Sequence, residues 1–149
     1  MIIKKLTYKT YGRLADCYIP LEPGLNVIYG ENEAGKSTVF SSINTLLFGF
    51  KPVSREKHPY VHWEKSEIHF SAEIMENMEL FNVERSLRSV PKCVMTHLDK
   101  KESQVYKNET LPFVENISEA LFESVFYLTS EDLNKIKNES WERDRKSTR

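Results

Sequence analysis

One short stretch limits the possible folds of this chain more than any other: YGENEAGKST, residues 29–38. It matches the pattern G-x-x-x-x-G-K-[S/T] at every fixed position. Gly30 and Gly35 allow a tight turn in which backbone N–H groups approach an anion closely. Lys36 would then contact β- and γ-phosphates, and the Ser37 hydroxyl would coordinate Mg²⁺. The motif therefore predicts binding of a nucleoside triphosphate.

The segments on either side of the motif predict a strand before it and a helix after it. Residues 25–29 form a short, apolar, β-rich run, which is typical of a buried parallel strand. After the motif, apolar residues recur at helical spacing up to Gly49, a C-terminal stop with Pro52 just beyond. The sequence thus predicts a strand, a phosphate-binding loop and a helix in succession.

Composition is that of one globular domain: 149 residues, 40% hydrophobic and 29% charged. No apolar run is long enough to span a membrane, and the first residues lack a leader pattern. Cys17 and Cys93 have no metal-ligand partner nearby, which favours small buried residues in a reducing cytoplasm. The net charge of −1 gives no support for nucleic-acid binding by the whole chain, although a local basic patch remains open.

Alternating apolar residues predict a largely antiparallel β-structure around the motif. Residues 2–8 and 15–19 form a pair of strands around a turn at residues 11–13. Residues 51–66 are a loop. Beyond it, an antiparallel β-meander consists of strands at 68–74, 81–87, 93–98 and 104–107, with a first turn at Glu76-Asn77.

From Asn116 the period becomes helical, with Asn116 and Glu119 resembling a capping box. Thr129 to Asp132 restarts a cap, and a polar tail follows from residue 139. We therefore predict one domain over residues 1–138. Residues 139–149 are either the start of a coiled coil or a disordered end.

Other candidate chemistry is weaker. His58, His62 and His69 have no cysteine or carboxylate that completes a metal-ligand spacing, so loop or surface histidines are favoured. Trp63 either stacks on a base or closes over the core, and the second is favoured. The sequence shows no Ser/His/Asp or Cys/His combination for nucleophilic catalysis, and catalytic residues stay unassigned.

The order of elements resembles the N-terminal half of an SMC-like ATPase head, the class that includes RecF, RecN, SbcC and YhaN-type proteins. The similar stretches are LTYKTYGR at 6–13, GLNVIYGENEAGKST at 24–38 and HPYVHW at 58–63. This resemblance implies an α/β P-loop NTPase fold, an SMC/ABC-ATPase-like lobe with a mixed sheet and an antiparallel β-meander.

The resemblance also implies a nucleotide site that binds ATP and Mg²⁺. Lys36 would contact the β/γ-phosphates, Ser37 the Mg²⁺, Thr38 the α-phosphate, and Asn32 would approach the γ-phosphate. Arg13 is either a basic residue near the nucleotide or a solvated turn charge. Backbone N–H groups from Glu33 through Ala34 and Gly35 to Thr38 complete the set.

Parts of the family pattern are missing. The glutamine that senses the γ-phosphate is replaced by TSED at 129–132, where Glu131 or Asp132 either approaches Mg²⁺ or caps a helix. The acidic pair, the signature motif and the coiled coil are absent from these 149 residues.

The chain is thus expected to be the first lobe of a split head, as a fragment or a truncated product. Hydrolysis would then need a C-terminal lobe and a second head, in a protein acting in DNA repair or DNA-end processing. Two alternatives remain: a stand-alone nucleotide-binding interaction module without turnover, and a small nucleotide kinase. The two leading strands and the meander speak against the kinase.

Overall fold

The computed structural model describes residues 1–126, which fall into two compact units, 1–115 and 116 onward. The first unit contains one helix and six strands. In chain order they are β1 (Ile2–Tyr11), β2 (Leu14–Pro20), α1 (Lys36–Phe48), β3 (Ile68–Glu76), β4 (Glu79–Leu87), β5 (Pro91–His97) and β6 (Glu102–Tyr106). Short 3-10 turns lie at Arg55–Lys57 and Pro112–Val114. The strands form one sheet in the order β2-β1-β3-β4-β5-β6.

The predicted mixed sheet is wrong for the described residues, where every neighbouring pair of strands is antiparallel. The predicted buried strand before the loop does not form either, and the side chains of Leu25, Val27 and Tyr29 are 93%, 73% and 91% exposed. A strand requires a neighbour for its N–H and C=O groups, and the described sheet offers residues 25–29 no parallel neighbour.

The predicted antiparallel pair and meander are confirmed. β1 turns into β2 so that Tyr11 pairs with Leu14. The β3–β4 turn lies at Asn77-Met78, one residue later than expected, with φ of 49° and 65°. Two successive positive φ values match the twist of the flanking strands, so β3 continues to Glu76 before the chain reverses.

Helix α1 is bound to the sheet through hydroxyl groups as well as apolar packing. The hydroxyls of Tyr8 and Ser42 lie 2.7 Å apart, and those of Tyr11 and Thr45 lie 2.8 Å apart. Burial raises the pKa of both tyrosines to about 12. The core around these contacts comes mainly from alternate residues of β1, β3 and β4: Leu6, Ile68, Phe70, Ala72, Ile74, Val83 and Leu87.

The C-terminal end of α1 is satisfied by three different partners. The carbonyl of Thr45 accepts from the N–H of Gly49 at 2.9 Å, and that of Leu47 accepts from the N–H of Leu111 at 2.8 Å. Between them, the carbonyl of Leu46 accepts from Nε of Arg85 at 2.7 Å. The predicted stop at Gly49 is confirmed, and tertiary contacts complete it.

In the second unit, helix α2 spans Glu119–Phe126. The Ser118 hydroxyl accepts from the N–H of Leu121 at 3.2 Å, so Ser118 is the N-cap and the capping box predicted from Asn116 is wrong. The predicted features at residues 129–149 lie outside the described residues. Within residues 1–126, the helices are too short or too polar to cross a lipid bilayer.

Candidate phosphate-binding site

The loop from Gly30 to Gly35 leads directly into the first turn of α1. Glu33 and Gly35 have φ values of 66° and 97°, and the N–H of Ala34 donates to the carbonyl of Glu31 at 3.3 Å. A Cβ at Gly35 would lie 3.0 Å from the side chain of Leu14, so both the conformation and the space favour glycine.

Lys36 connects two backbone carbonyls of this loop. Its ammonium donates to the carbonyl of Gly30 at 2.7 Å and to that of Glu31 at 2.6 Å. An ammonium has three N–H donors, and these two are the hydrogen bonds that it makes within residues 1–126. The third donor remains for an anion. The lysine thus shapes the loop and presents positive charge at the same place.

The N-terminus of α1 lacks the usual stabilising groups. Its N-cap is Gly35, no side chain caps it, and its first turn contains no acidic residue. Lys36 stands where the positive end of the helix dipole disfavours a cation. A helix start with uncapped N–H groups and a lysine is unstable by itself, but it is well suited to bind an anion.

An open cavity of about 360 Å³ lies above this helix start. It is lined by most of the residues that the sequence predicted for the site: Arg13, Asn32, Glu33, Gly35, Lys36, Ser37 and Thr38. Of the remaining two, Gly30 provides a carbonyl for Lys36 and Ala34 forms part of the turn. The structure therefore brings the predicted set together in one place.

Arg13 faces the loop across this cavity and pairs with Glu33 at 3.1 Å. The two side chains are 68% and 74% exposed, so the pair contributes less than about 1 kcal/mol. The sequence assigned only a backbone role to Glu33, and its carboxylate is a feature that sequence reasoning missed.

A second open cavity of about 630 Å³ shares Arg13 and Thr38 with the first; its other lining residues are Gly12, Pro59, Tyr60, Val61 and Trp63. Trp63 is 85% exposed, so the expectation that it closes over the core is wrong. Other rings fill the core of the described residues, with Tyr11 against Phe70 at 4.9 Å and Phe50 against His58 at 5.6 Å.

Two of the histidines predicted as loop or surface residues lie in the loop, and they are buried there. His58 and His62 are 6% and 5% exposed. In each the Nδ1 atom accepts a backbone N–H at 3.2 Å, from Tyr60 and Glu64 respectively. Burial lowers the pKa of His58. These histidines stabilise the loop that forms the wall of the second cavity. The third, His69, lies on β3 at 3.1 Å from Glu84.

Known proteins similar to this chain identify its family. A family model described as an AAA domain matches residues 1–139. The chain belongs to this AAA-domain family. It is also similar to the DNA double-strand break repair Rad50 ATPase of Archaeoglobus fulgidus, with 28% identity over 85 residues. Those residues cover 57% of the chain but 10% of that protein.

These matches confirm the resemblance to the N-terminal region of SMC- and Rad50-like ATPases. The family relationship covers the loop at residues 30–35, α1 and the whole antiparallel sheet, which all lie within residues 1–139. Because the alignment spans a tenth of the Rad50 relative, that protein's complete activity is not assigned to this AAA-domain chain.

Proposed function

We propose that the chain is the ATP- and Mg²⁺-binding N-terminal lobe of an SMC-like ATPase head. The observation that supports this most is the cavity at the start of α1, where Lys36 closes the loop and the helix N-terminus has no cap. Positive charge and unpaired N–H groups converge there on a space suited to a polyphosphate.

Each lining side chain then has a role in nucleotide binding. Lys36 donates its third hydrogen to the β/γ-phosphates, Ser37 coordinates Mg²⁺, and Thr38 contacts the α-phosphate. Asn32 lies beside the γ-phosphate. Arg13 leaves Glu33 and pairs with phosphate, since its exposed ion pair is weak.

The exposed run at residues 25–29 supports a partner lobe. Leu25, Val27 and Tyr29 expose apolar side chains immediately before Gly30. An extended segment with unpaired backbone groups accepts a strand from a partner, which also covers its side chains. We propose that a C-terminal ATPase lobe supplies that strand and the acidic residues for hydrolysis, and that ATP binding joins two such heads.

The proposed role in DNA repair or DNA-end processing rests on the named Rad50 relative. The proposed cytoplasmic setting rests on the two cysteines, Cys17 and Cys93, which have no metal-ligand partner nearby in the sequence. A stand-alone nucleotide-binding module without turnover is the second candidate, because the sequence contains no acidic pair after a buried strand. A small nucleotide kinase is less favoured, because the loop follows an antiparallel hairpin and the described sheet is antiparallel throughout.

Replacing Lys36 with alanine tests the site directly. The wild-type chain is expected to bind a fluorescent ATP analogue more tightly with Mg²⁺ than without it. Because Lys36→Ala removes a charged donor and two loop-closing hydrogen bonds, affinity should fall roughly 10- to 100-fold. Lys92→Ala, at an exposed lysine on β5, is the matched control and should bind as the wild type does.

Two results would count against this proposal. A folded wild-type chain that binds no ATP analogue would exclude a nucleotide site in this lobe alone. Steady ATP hydrolysis by the purified chain, abolished by Lys36→Ala, would exclude a split head and favour the kinase.

The proposed lobe contact has its own test in hydrogen exchange. Amides of residues 25–29 should exchange rapidly in the chain alone and become protected when a C-terminal ATPase lobe of the same protein is added. Val27→Lys should prevent that protection without destabilising the chain, because Val27 is 73% exposed. Val105→Lys, 68% exposed on β6, is the control. Protection already present in the chain alone would refute the idea.

A further inference from the structure

We infer that the second cavity, here called the aromatic cavity, holds the nucleoside of the bound triphosphate, with a purine base stacked on Trp63. Its residues are Gly12, Arg13, Thr38, Pro59, Tyr60, Val61 and Trp63. The inference rests on the proposed function, which places the phosphates of the nucleotide. What it adds is the part of the protein that selects the base.

The direction of the proposed triphosphate determines which cavity its nucleoside enters. In the proposed binding mode the γ-phosphate lies toward Asn32 and Lys36, and the α-phosphate lies at Thr38. Thr38 and Arg13 line both cavities, so the chain of phosphates leads from the first cavity into the aromatic cavity. Its volume of about 630 Å³ is within the range of small-molecule sites, roughly 300 to 1,000 Å³.

The wall of the aromatic cavity is held in place by contacts within the protein. The N–H of Gly12 donates to the carbonyl of Tyr60 at 2.7 Å. The rings of Tyr11 and Tyr60 stack with their centres 5.0 Å apart and their planes 18° apart. A 2.6 Å ion pair between Lys65 and Asp16 fastens the same loop to β2. Binding therefore requires little further ordering of the loop.

Trp63 is the group that this ordered loop leaves open to solvent. Its side chain is 85% exposed, while its neighbour His62 is buried and lies 6.4 Å from it between ring centres. A large exposed indole on an anchored loop offers a ring face for a base at low conformational cost. Tyr60 is partly covered by Tyr11, so the open platform is Trp63.

The chemistry of the lining predicts weak discrimination between adenine and guanine. Among these lining residues, which all lie in the described part of the chain, none is a carboxylate or an amide that reads a base edge. Stacking depends on the π-face, which every base has, and is therefore tolerant of base identity. The larger purines gain more contact than the pyrimidines. ATP and GTP should thus bind within a few-fold of each other, and both more tightly than CTP or UTP.

The experiment uses the fluorescence of Trp63. The sequence has two tryptophans, so the background variant Trp141→Phe leaves Trp63 as the one reporter. ATP, GTP, CTP, UTP and inorganic tripolyphosphate are titrated in turn. ATP and GTP should quench the emission, whereas tripolyphosphate should bind without quenching, since it has no base. Trp63→Ala should weaken ATP binding about tenfold and leave tripolyphosphate affinity unchanged.

Two further variants distinguish the loss of base stacking from a general loss of folded structure. Trp63→Phe keeps a ring and should retain most of the ATP affinity. Tyr18→Ala removes an exposed aromatic residue of β2 that lies outside both cavities, and it should change nothing. Circular dichroism confirms that each variant is folded.

The outcomes distinguish this inference from the proposed function. If tripolyphosphate binds and is lost in Lys36→Ala, but ATP affinity is the same in Trp63→Ala, then the phosphate site stands and the aromatic cavity is refuted. Tighter binding of pyrimidine than of purine triphosphates would refute it as well. If neither tripolyphosphate nor ATP binds the folded wild-type chain, the proposed function and this inference fail together.

Discussion

Replacing Arg85 with methionine is expected to lower the free energy of unfolding by about 3 kcal/mol. Arg85 is fully buried on β4. Its Nε donates to the carbonyl of Leu46 at 2.7 Å and its Nη2 to the carbonyl of Glu109 at 2.8 Å. Methionine keeps an apolar stem but provides no donor, so two backbone carbonyls lose their partner inside the protein.

Two effects oppose each other at this position. Each carbonyl left without a donor costs roughly 1 to 3 kcal/mol. Burial of the guanidinium is itself unfavourable, as the lowered pKa of Arg85 and its unpartnered Nη1 atom indicate. Removing the buried charge therefore restores part of the lost free energy of unfolding. We expect the carbonyls to dominate, because one of them belongs to the C-terminal turn of α1.

Urea unfolding at neutral pH measures this difference. Arg88→Met is the matched control: Arg88 is 70% exposed and pairs with Glu67, so its loss should cost less than about 1 kcal/mol. A loss below 1 kcal/mol for Arg85→Met would mean that water replaces the guanidinium at both carbonyls.

Gly49→Ala is expected to destabilise the fold by about 3 kcal/mol or more, through backbone strain and a steric clash together. Gly49 ends α1 with φ 95° and ψ 179°, a region that is essentially restricted to glycine. A Cβ there would lie 2.5 Å from the backbone oxygen of Asn108. The same Asn108 side chain pairs with both backbone groups of Phe50, at 2.8 and 3.0 Å.

Gly24→Ala separates the two contributions. Gly24 has a similar φ of 98°, but a Cβ there would meet nothing within 4 Å. Its replacement should lower the free energy of unfolding by about 1 kcal/mol, through backbone strain alone. The difference between the two variants in urea unfolding then measures the close approach of Asn108. Equal losses in both would show that the chain around Asn108 moves aside freely.

Several elements were predictable because their signals are local. The alternation in β1, β3 and β4, the turn after Tyr11 and the stop of α1 at Gly49 depend on neighbours along the chain, and the structure has them close to the expected places. The residues of the loop at 30–35 and of the first turn of α1 are also neighbours in sequence. Their gathering at one cavity therefore followed from the motif.

The errors have a common physical cause. Residues 25–29 have a strand-like composition, yet a strand forms only where another strand pairs with it, and the described sheet supplies none. Trp63 is a large aromatic residue of a kind typical of cores, yet the core of the described residues is filled by other rings, among them Tyr11, Phe50 and Phe70.

The sequence by itself determined the turn of the glycine-containing loop at residues 30–35, the helix that follows it and the antiparallel meander, since each depends on spacing within a few residues. Only the tertiary structure decided that Arg85 completes the end of α1, that Arg13 faces Glu33, and that the loop with Trp63 forms a second cavity beside Thr38. Those contacts join residues far apart in the chain. Their distances depend on how the sheet and α1 pack, which no local pattern encodes.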